Sequence, residues 1–245
     1  VNEGNLRVRS DVIASKMRLG LILLLTATAA WAKDRVATAR EAQTPNLKAM
    51  FADAGVGYPP DELYLRAFKE EKELEVWAGP RGKALTLVSK YPICAASGEP
   101  GPKREEGDLQ VPEGFYEIKS FNKTSSFHLS MEVSYPNASD RVLGKKGKLG
   151  GLIYLHGNCA SIGCIAITDG PIEQVYLMAA DAKVRRLPIH IFPRRLADLA
   201  GLEKSPHLEF WKQLQPGYLD FEKTRRPPMV KVDAKTGAYA VLKSP

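Results

Sequence analysis

The chain has 245 residues, 44% of them apolar and 26% charged, with 35 Lys plus Arg against 28 Asp plus Glu and a net charge of +7. That balance is ordinary for a globular domain; it excludes a disordered chain, a collagen and a multi-span membrane protein. Three cysteines and four histidines are too few for a zinc-finger array, and no Lys/Arg block with interleaved aromatics points to nucleic acid.

Residues 17–32 read MRLGLILLLTATAAWA. Lys16 and Arg18 supply positive charge, Leu19 to Ala30 a short apolar run, and Ala30-Trp31-Ala32 a small-residue cleavage site. This is the pattern of a bacterial secretory signal, so residues 1–32 are expected to be removed, with Met17 the expected start and the periplasm the expected location. The run is too short for a permanent anchor, and no cysteine follows it to carry a lipid. Residues 33–60 close on Tyr58-Pro59-Pro60 and read as a linker or lead-in helix.

From residue 61 the pattern turns to strand. Leu63, Leu65 and Ala67 alternate with other residues, as do Leu74, Val76 and Ala78; Gly79-Pro80-Arg81-Gly82 turns the chain, and Leu85 to Ile93 returns. A Gly-, Pro- and charge-rich loop spans 97–107. Gly114 to Ser120 and 126–134 are the next strands, the latter with Phe127, Leu129, Met131 and Val133 on one side. Gly151 to His156 and Cys164 to Thr168 are short apolar strands. Ile172, Val175, Tyr176 and Ala179 then fall on one helical face, capped by Asp169 or Gly170. Leu187 to Phe192 is a strand. Ser205-Pro206 opens a second helix with Leu208, Trp211 and Leu214, which Pro216-Gly217 is expected to end. Val230–Val232 and Ala238–Leu242 form a hairpin. The sum is a β-rich α+β domain over 61–195 with a C-terminal helix-hairpin extension over 196–245.

The segment 153–169, IYLHGNCASIGCIAITD, carries the chemistry. A strand ends in His156-Gly157, and Gly163-Cys164 starts the next strand after a tight loop. Cysteine nucleophiles need an imidazole that takes and returns the proton. They also need backbone N–H groups aimed at the developing oxyanion, and Gly163 leaves room for a carbonyl to approach. An odd number of cysteines leaves at least one thiol over. Cys94 could pair with Cys159 and leave Cys164 free, or Cys159 could pair with Cys164 as an oxidised resting form. His128 reads as a surface histidine, His190 as packed and His207 as structural. With the histidines scattered, no metal site is expected. Phe210, Trp211 and Tyr218 either wall a cleft or pack in the core, and core packing is the expected reading.

SIGC followed by Ile-Ala-Ile-Thr, after an upstream His-Gly, resembles the active-site signature of the YkuD-type L,D-transpeptidases. Gly107-Asp108 with Pro112-Glu113-Gly114-Phe115-Tyr116 is similar to that family's G-D…P-E-G stretch. FKEEKELEVW (68–77), YPNASDR (135–141), FWKQLQPGY (210–218) and TRRPP (224–228) resemble its YafK branch. The resemblance implies a YkuD β-sandwich with a helix packed on it, and no cofactor. It implies Cys164 as the nucleophile that forms a thioester, His156 as base and then acid, and Gly163 and Cys164 amides as the oxyanion hole, with Gly157 and Ser161 shaping the loop. The implied partners are peptidoglycan stem peptides with meso-diaminopimelate and a wall-attached lipoprotein. The branch implies hydrolysis that frees such a protein; the wider family implies transpeptidation. A non-catalytic wall-binding regulator with structural cysteines is the reading from another class. Two departures stand out: Ile162 replaces the family's histidine in S-H-G-C, and Ala166 replaces its arginine. Lys103 or Arg141 is the candidate replacement cation for a substrate carboxylate.

Overall fold

The computed structural model describes residues 34–242; the expected signal in 1–32 lies outside them. Helix α1 (Arg35–Asp53) precedes strands β1 (Glu62–Phe68), β2 (Glu73–Gly79) and β3 (Thr86–Pro92). Strands β4 (Ala95–Ala96), β5 (Gly114–Asn122) and β6 (Ser130–Val133) lead to helix α2 (Ala138–Leu143). Then come β7 (Tyr154–His156), β8 (Ile165–Ala166), helix α3 (Asp169–Asp181), β9 (Leu187–Phe192), helix α4 (Leu208–Thr224) and the hairpin β10 (Met229–Val232) and β11 (Tyr239–Leu242). No helix among the described residues is long and apolar enough to cross a membrane.

Nine strands form one sheet, in the order β3-β2-β1-β9-β5-β6-β7-β8-β4. Its two edge strands, β3 and β4, are separated in the chain only by Ile93 and Cys94. The sheet must therefore curl until its edges nearly meet, and the expected sandwich is a single curled sheet. The Ile93 amide donates to the Lys72 carbonyl at 2.7 Å and the Cys94 amide to the Ala166 carbonyl at 2.9 Å, which ties the seam.

The central strands are buried on both faces. On β1, Leu63, Leu65 and Ala67 join the main core, while Tyr64 and Phe68 join clusters on the opposite face. This is the period-2 geometry of a strand with two covered faces. Helices α1 and α3 cover the first face. Leu47 and Phe51 of α1 are fully buried, each contributing about 2–3 kcal/mol of apolar burial. The 33–60 segment is thus a helix built into the core rather than a linker. Arg40 of α1 clasps Asp181 of α3 with two hydrogen bonds of 2.7 Å.

Helix α4 and the terminal hairpin cover the second face. Phe210, Trp211 and Tyr218 pack there, as expected for core residues. The helix does not stop at Pro216-Gly217 but runs to Thr224. Pro216 sits on the exposed side, so the carbonyl it leaves without an amide partner faces water. Gly217 is required by packing: a Cβ there would lie 2.6 Å from Cζ of Phe115. Burial of Gly217, Tyr218 and Phe221 outweighs the local breaker signal.

Two shorter expectations also change. The strand expected over 126–134 is limited to β6, because His128 takes a positive φ of 68°. Thr168, not Asp169 or Gly170, is the N-cap of α3; the Asp169 carboxylate is engaged instead by the Asn158 amide at 2.8 Å.

Candidate active site

Strands β7 and β8 run parallel, with Leu155 opposite Ile165 and His156 opposite Ala166. That register sets Cys164 beside Tyr154, so His156 and Cys164 point to the same face of the sheet. Both line one cavity of ≈ 200 Å³. Its other walls are Tyr154 and the 122–130 segment, through Asn122, Ser125, Ser126, Phe127 and Ser130. These wall residues carry no motif, and the sequence alone did not single them out as a site.

The loop between the two residues is tied on every side. A Cβ on Gly157 would lie 2.7 Å from Asp169 Oδ1 and 3.0 Å from the Phe127 carbonyl, so only glycine fits. Cys159 forms a disulfide with Cys94, which resolves the pairing and leaves Cys164 as the free thiol. Ser161 Oγ donates to the Cys164 carbonyl at 2.7 Å and accepts from the Gly163 amide at 3.3 Å, which makes Ser161 a loop tie. Gly163 has φ of 123°, a region that disfavours any side chain. Ile162 is 81% exposed at the rim.

The imidazole is only 2% exposed, with the Phe127 ring 4.6 Å away. Its Nδ1 lies 2.6 Å from the Gly157 carbonyl. A carbonyl can only accept, so Nδ1 carries the proton and Nε2 presents a lone pair. Burial lowers the His156 pKa, and the Gly157 carbonyl partly offsets it. Burial pushes the Cys164 thiol up, while the Tyr154 amide and the Lys103 charge pull it back. The pair therefore rests as neutral thiol and neutral imidazole, and a thiolate forms when the proton moves. The arrangement can deliver a sulfur nucleophile and recycle its proton.

Lys103 is buried, with Nζ 2.6 Å from Asp108 Oδ1 and 2.8 Å from the Glu105 carbonyl. Its charge reaches Cys164, but it does not line the cavity. Arg141 is exposed on α2 and does not line it either. The structure brings neither candidate cation to the place expected for a substrate carboxylate.

The G-D…P-E-G stretch owes its pattern to two carboxylate hubs. Asp108 accepts from Lys103 and from the amides of Arg104, Glu105 and Gln110. Burial alone would raise its carboxyl, but these donors together hold it low. Glu113 is fully buried and accepts from Lys69 Nζ, the Gly101 amide and Trp211 Nε1. The hubs hold the 97–113 loop beside Gly163, whose added Cβ would lie 3.2 Å from the Gln110 carbonyl.

The other histidines are structural. His207 fills the space beside Gly101, where a Cβ would lie 2.5 Å from its Nε2. His190 is buried against Tyr64. His128 is half-buried rather than a free surface group, with Nε2 2.9 Å from Glu173.

A curled sheet that carries a free cysteine and a singly anchored histidine on adjoining parallel strands has the parts that cysteine acyl transfer requires. The family description YkuD, L,D-transpeptidase catalytic domain, matches residues 64–191. The chain belongs to this L,D-transpeptidase family, which acts on peptidoglycan peptides. It is similar to YafK of Escherichia coli (strain K12), provisionally named an L,D-transpeptidase, at 37% identity over 189 residues, 74% of each chain. Among solved structures it is similar to the helical cell shape determining protein Pgp2 of Campylobacter jejuni, with 19% identity, TM-score 0.47, and coverage of 77% of this chain and 80% of that one. L,D-transpeptidase 1 of Mycobacterium tuberculosis matches at 17% identity and TM-score 0.32, covering 54% of this chain and 62% of that one.

Proposed function

We propose that the protein acts in the periplasm on peptidoglycan and hydrolyses the bond between meso-diaminopimelate and a wall-attached protein through a Cys164 thioester. One observation carries the mechanism: His156 and Cys164 line one cavity, with the imidazole anchored through Nδ1, which leaves Nε2 to take the proton. In this reading the Cys164 proton passes to Nε2 as sulfur attacks the carbonyl carbon. The tetrahedral intermediate collapses, its C–N bond breaks, and the leaving amine takes the proton from His156. Water then attacks the thioester with His156 as base, releasing the acid and restoring the thiol. The amides of Gly163 and Cys164 would hold the oxyanion. The Gly163 amide has only the long 3.3 Å contact to Ser161 to give up.

The hydrolytic preference is supported by resemblance to the YafK branch, and the periplasmic assignment by the signal pattern and by a disulfide suited to an oxidising compartment. The second reading is transpeptidation, in which an amine replaces the water; family membership favours it. Both are tested by incubating the protein and its Cys164→Ala variant with sacculi carrying bound protein and with tetrapeptide muropeptides, with products read by mass spectrometry. Release of protein by wild type alone, with diaminopimelate left on the wall, is the expected result. New diaminopimelate–diaminopimelate cross-links would replace the hydrolase reading with the transpeptidase one. No product from either substrate would leave a binding or regulatory role.

A further inference from the structure

Away from the Cys164 cavity, Arg81, Arg185, Arg186 and Arg226 line a second cavity of ≈ 410 Å³. They come from three distant turns: the β2–β3 connection, the approach to β9, and the segment after α4. Among the described residues, Arg185 and Arg226 have no ion-pair partner, and Arg81 donates only to the Lys183 carbonyl at 3.1 Å. Arg186 has one long contact, 3.5 Å from Glu117. Two acids share the lining: Asp61 lies 3.6 Å from Lys183, and Glu62 accepts from the Gly82 amide at 3.0 Å and keeps its charge. Four arginines against two acids leave the lining net positive, with Arg185 and Arg226 outside any ion pair among the described residues. An adjoining cavity of ≈ 480 Å³ shares Arg186, Pro188, Pro227 and Met229, so the groove continues along the sheet.

Its position relative to Cys164 follows from β5. Glu117 is paired with Pro188, at the groove. Asn122 is paired with Ser130, and both line the catalytic cavity. Five residues of strand separate these points, roughly 17 Å.

We propose that this arginine groove is a second binding site for the carboxylate-bearing polymer on which the enzyme acts. The inference rests on the peptidoglycan reading above and extends it to a place outside the catalytic cavity. Guanidinium forks match carboxylates with paired hydrogen bonds, which lysine ammonium groups do not. Single exposed pairs are weak. A polymer with repeated carboxylates engages several at once while another of its peptides occupies the cavity, and the linked contacts multiply. The groove is a cleft walled by Pro188 and Pro227, a shape for an extended chain rather than a flat lipid surface.

The test uses the full chain in the Cys164→Ala background and measures co-sedimentation with sacculi. Arg185→Glu with Arg226→Glu is expected to weaken retention about tenfold and to flatten its salt dependence. Arg185→Gln with Arg226→Gln should fall between, with melting temperatures unchanged. In the active background, turnover of a small soluble muropeptide should stay at the parent level. Unchanged retention overturns the proposal, as does a parallel loss of muropeptide turnover. So does loss of binding to vesicles of anionic lipid with sacculus binding intact. A parent that ignores sacculi altogether fails the peptidoglycan reading itself, an outcome distinct from a defect confined to the arginine variants.

Discussion

His156 and His190 are built from similar parts and set in different surroundings. Both are buried, and each engages Nδ1 in a 2.6 Å hydrogen bond, His156 with the Gly157 carbonyl and His190 with the Tyr64 hydroxyl. Burial lowers the pKa of both, and that of His190 falls to about 3, helped by the Arg66 charge. The Gly157 carbonyl can only accept, so it forces Nδ1 of His156 to donate and leaves Nε2 its lone pair, whereas the Tyr64 hydroxyl can donate or accept and fixes no tautomer at His190. Around His190 lie the rings of Tyr64, Phe115 and Phe192, and the cavity it borders holds no thiol; the cavity that His156 borders does. A perturbed pKa alone therefore does not mark a catalytic group. What distinguishes His156 is a fixed tautomer that leaves Nε2 its lone pair, in a residue that shares its cavity with a thiol.

The same contrast holds for charges. Arg66 is almost fully buried between Glu75 and Glu222, with the Phe221 ring 4.3 Å from its guanidinium carbon. Glu75 also takes Trp77 Nε1 and Arg195. This network fastens α4 to the back of the sheet and leaves its charges paired, which is the structural use of buried ions.

Exchanging the two histidines' fates would break the comparison. His156→Ala should lower kcat/KM by about 10²–10⁴ and Cys164→Ala should abolish turnover, while His190→Ala should leave kcat near wild type. Steady-state kinetics that show equal losses for both histidine variants would dissolve the distinction.

The next effect is on stability. The Cys94–Cys159 bridge closes a span of 65 residues; Cys94→Ser with Cys159→Ser should cost about 4 kcal/mol and also slow turnover, because the bridge tethers the catalytic loop. Denaturant unfolding alongside kinetics separates the two effects. His190→Ala should cost roughly 2–4 kcal/mol, since it opens a cavity and leaves the Tyr64 hydroxyl unpaired.

A subtler test concerns acid. The folded-state pKa of His190 lies near 3, below the ordinary 6.5. The unfolded chain therefore binds the proton first, and the stability present above 6.5 is lost as pH falls from there toward 3. Thermal melts of wild type should drop across that window more steeply than those of His190→Gln; parallel curves would count against a buried neutral His190. The smallest change should come from Ile162→Ser. Ile162 is 81% exposed, so its unfolding free energy should shift by less than about 0.5 kcal/mol.

The sequence by itself determined the elements whose signal is local. Alternation marked β1 and β2, helical spacing marked α3, and two apolar runs, Val230–Val232 and Ala238–Leu242, marked the last hairpin. The His156–Cys164 pair was legible because both ends of one short loop carry it. Tertiary structure decided whatever depends on partners far apart in the chain. The order β3-β2-β1-β9-β5-β6-β7-β8-β4 sets neighbours that no local pattern encodes. Packing against Phe115 carries α4 past Pro216-Gly217. Asp108 and Glu113 became hubs, and Lys103 became a buried partner of Asp108, because the loop folds back on them. Cys94 found Cys159 because the sheet curls until its seam closes. Four arginines from three turns meet at one groove for the same reason: periodicity reports which side of an element is apolar, and only long-range contact reports what lies across from it.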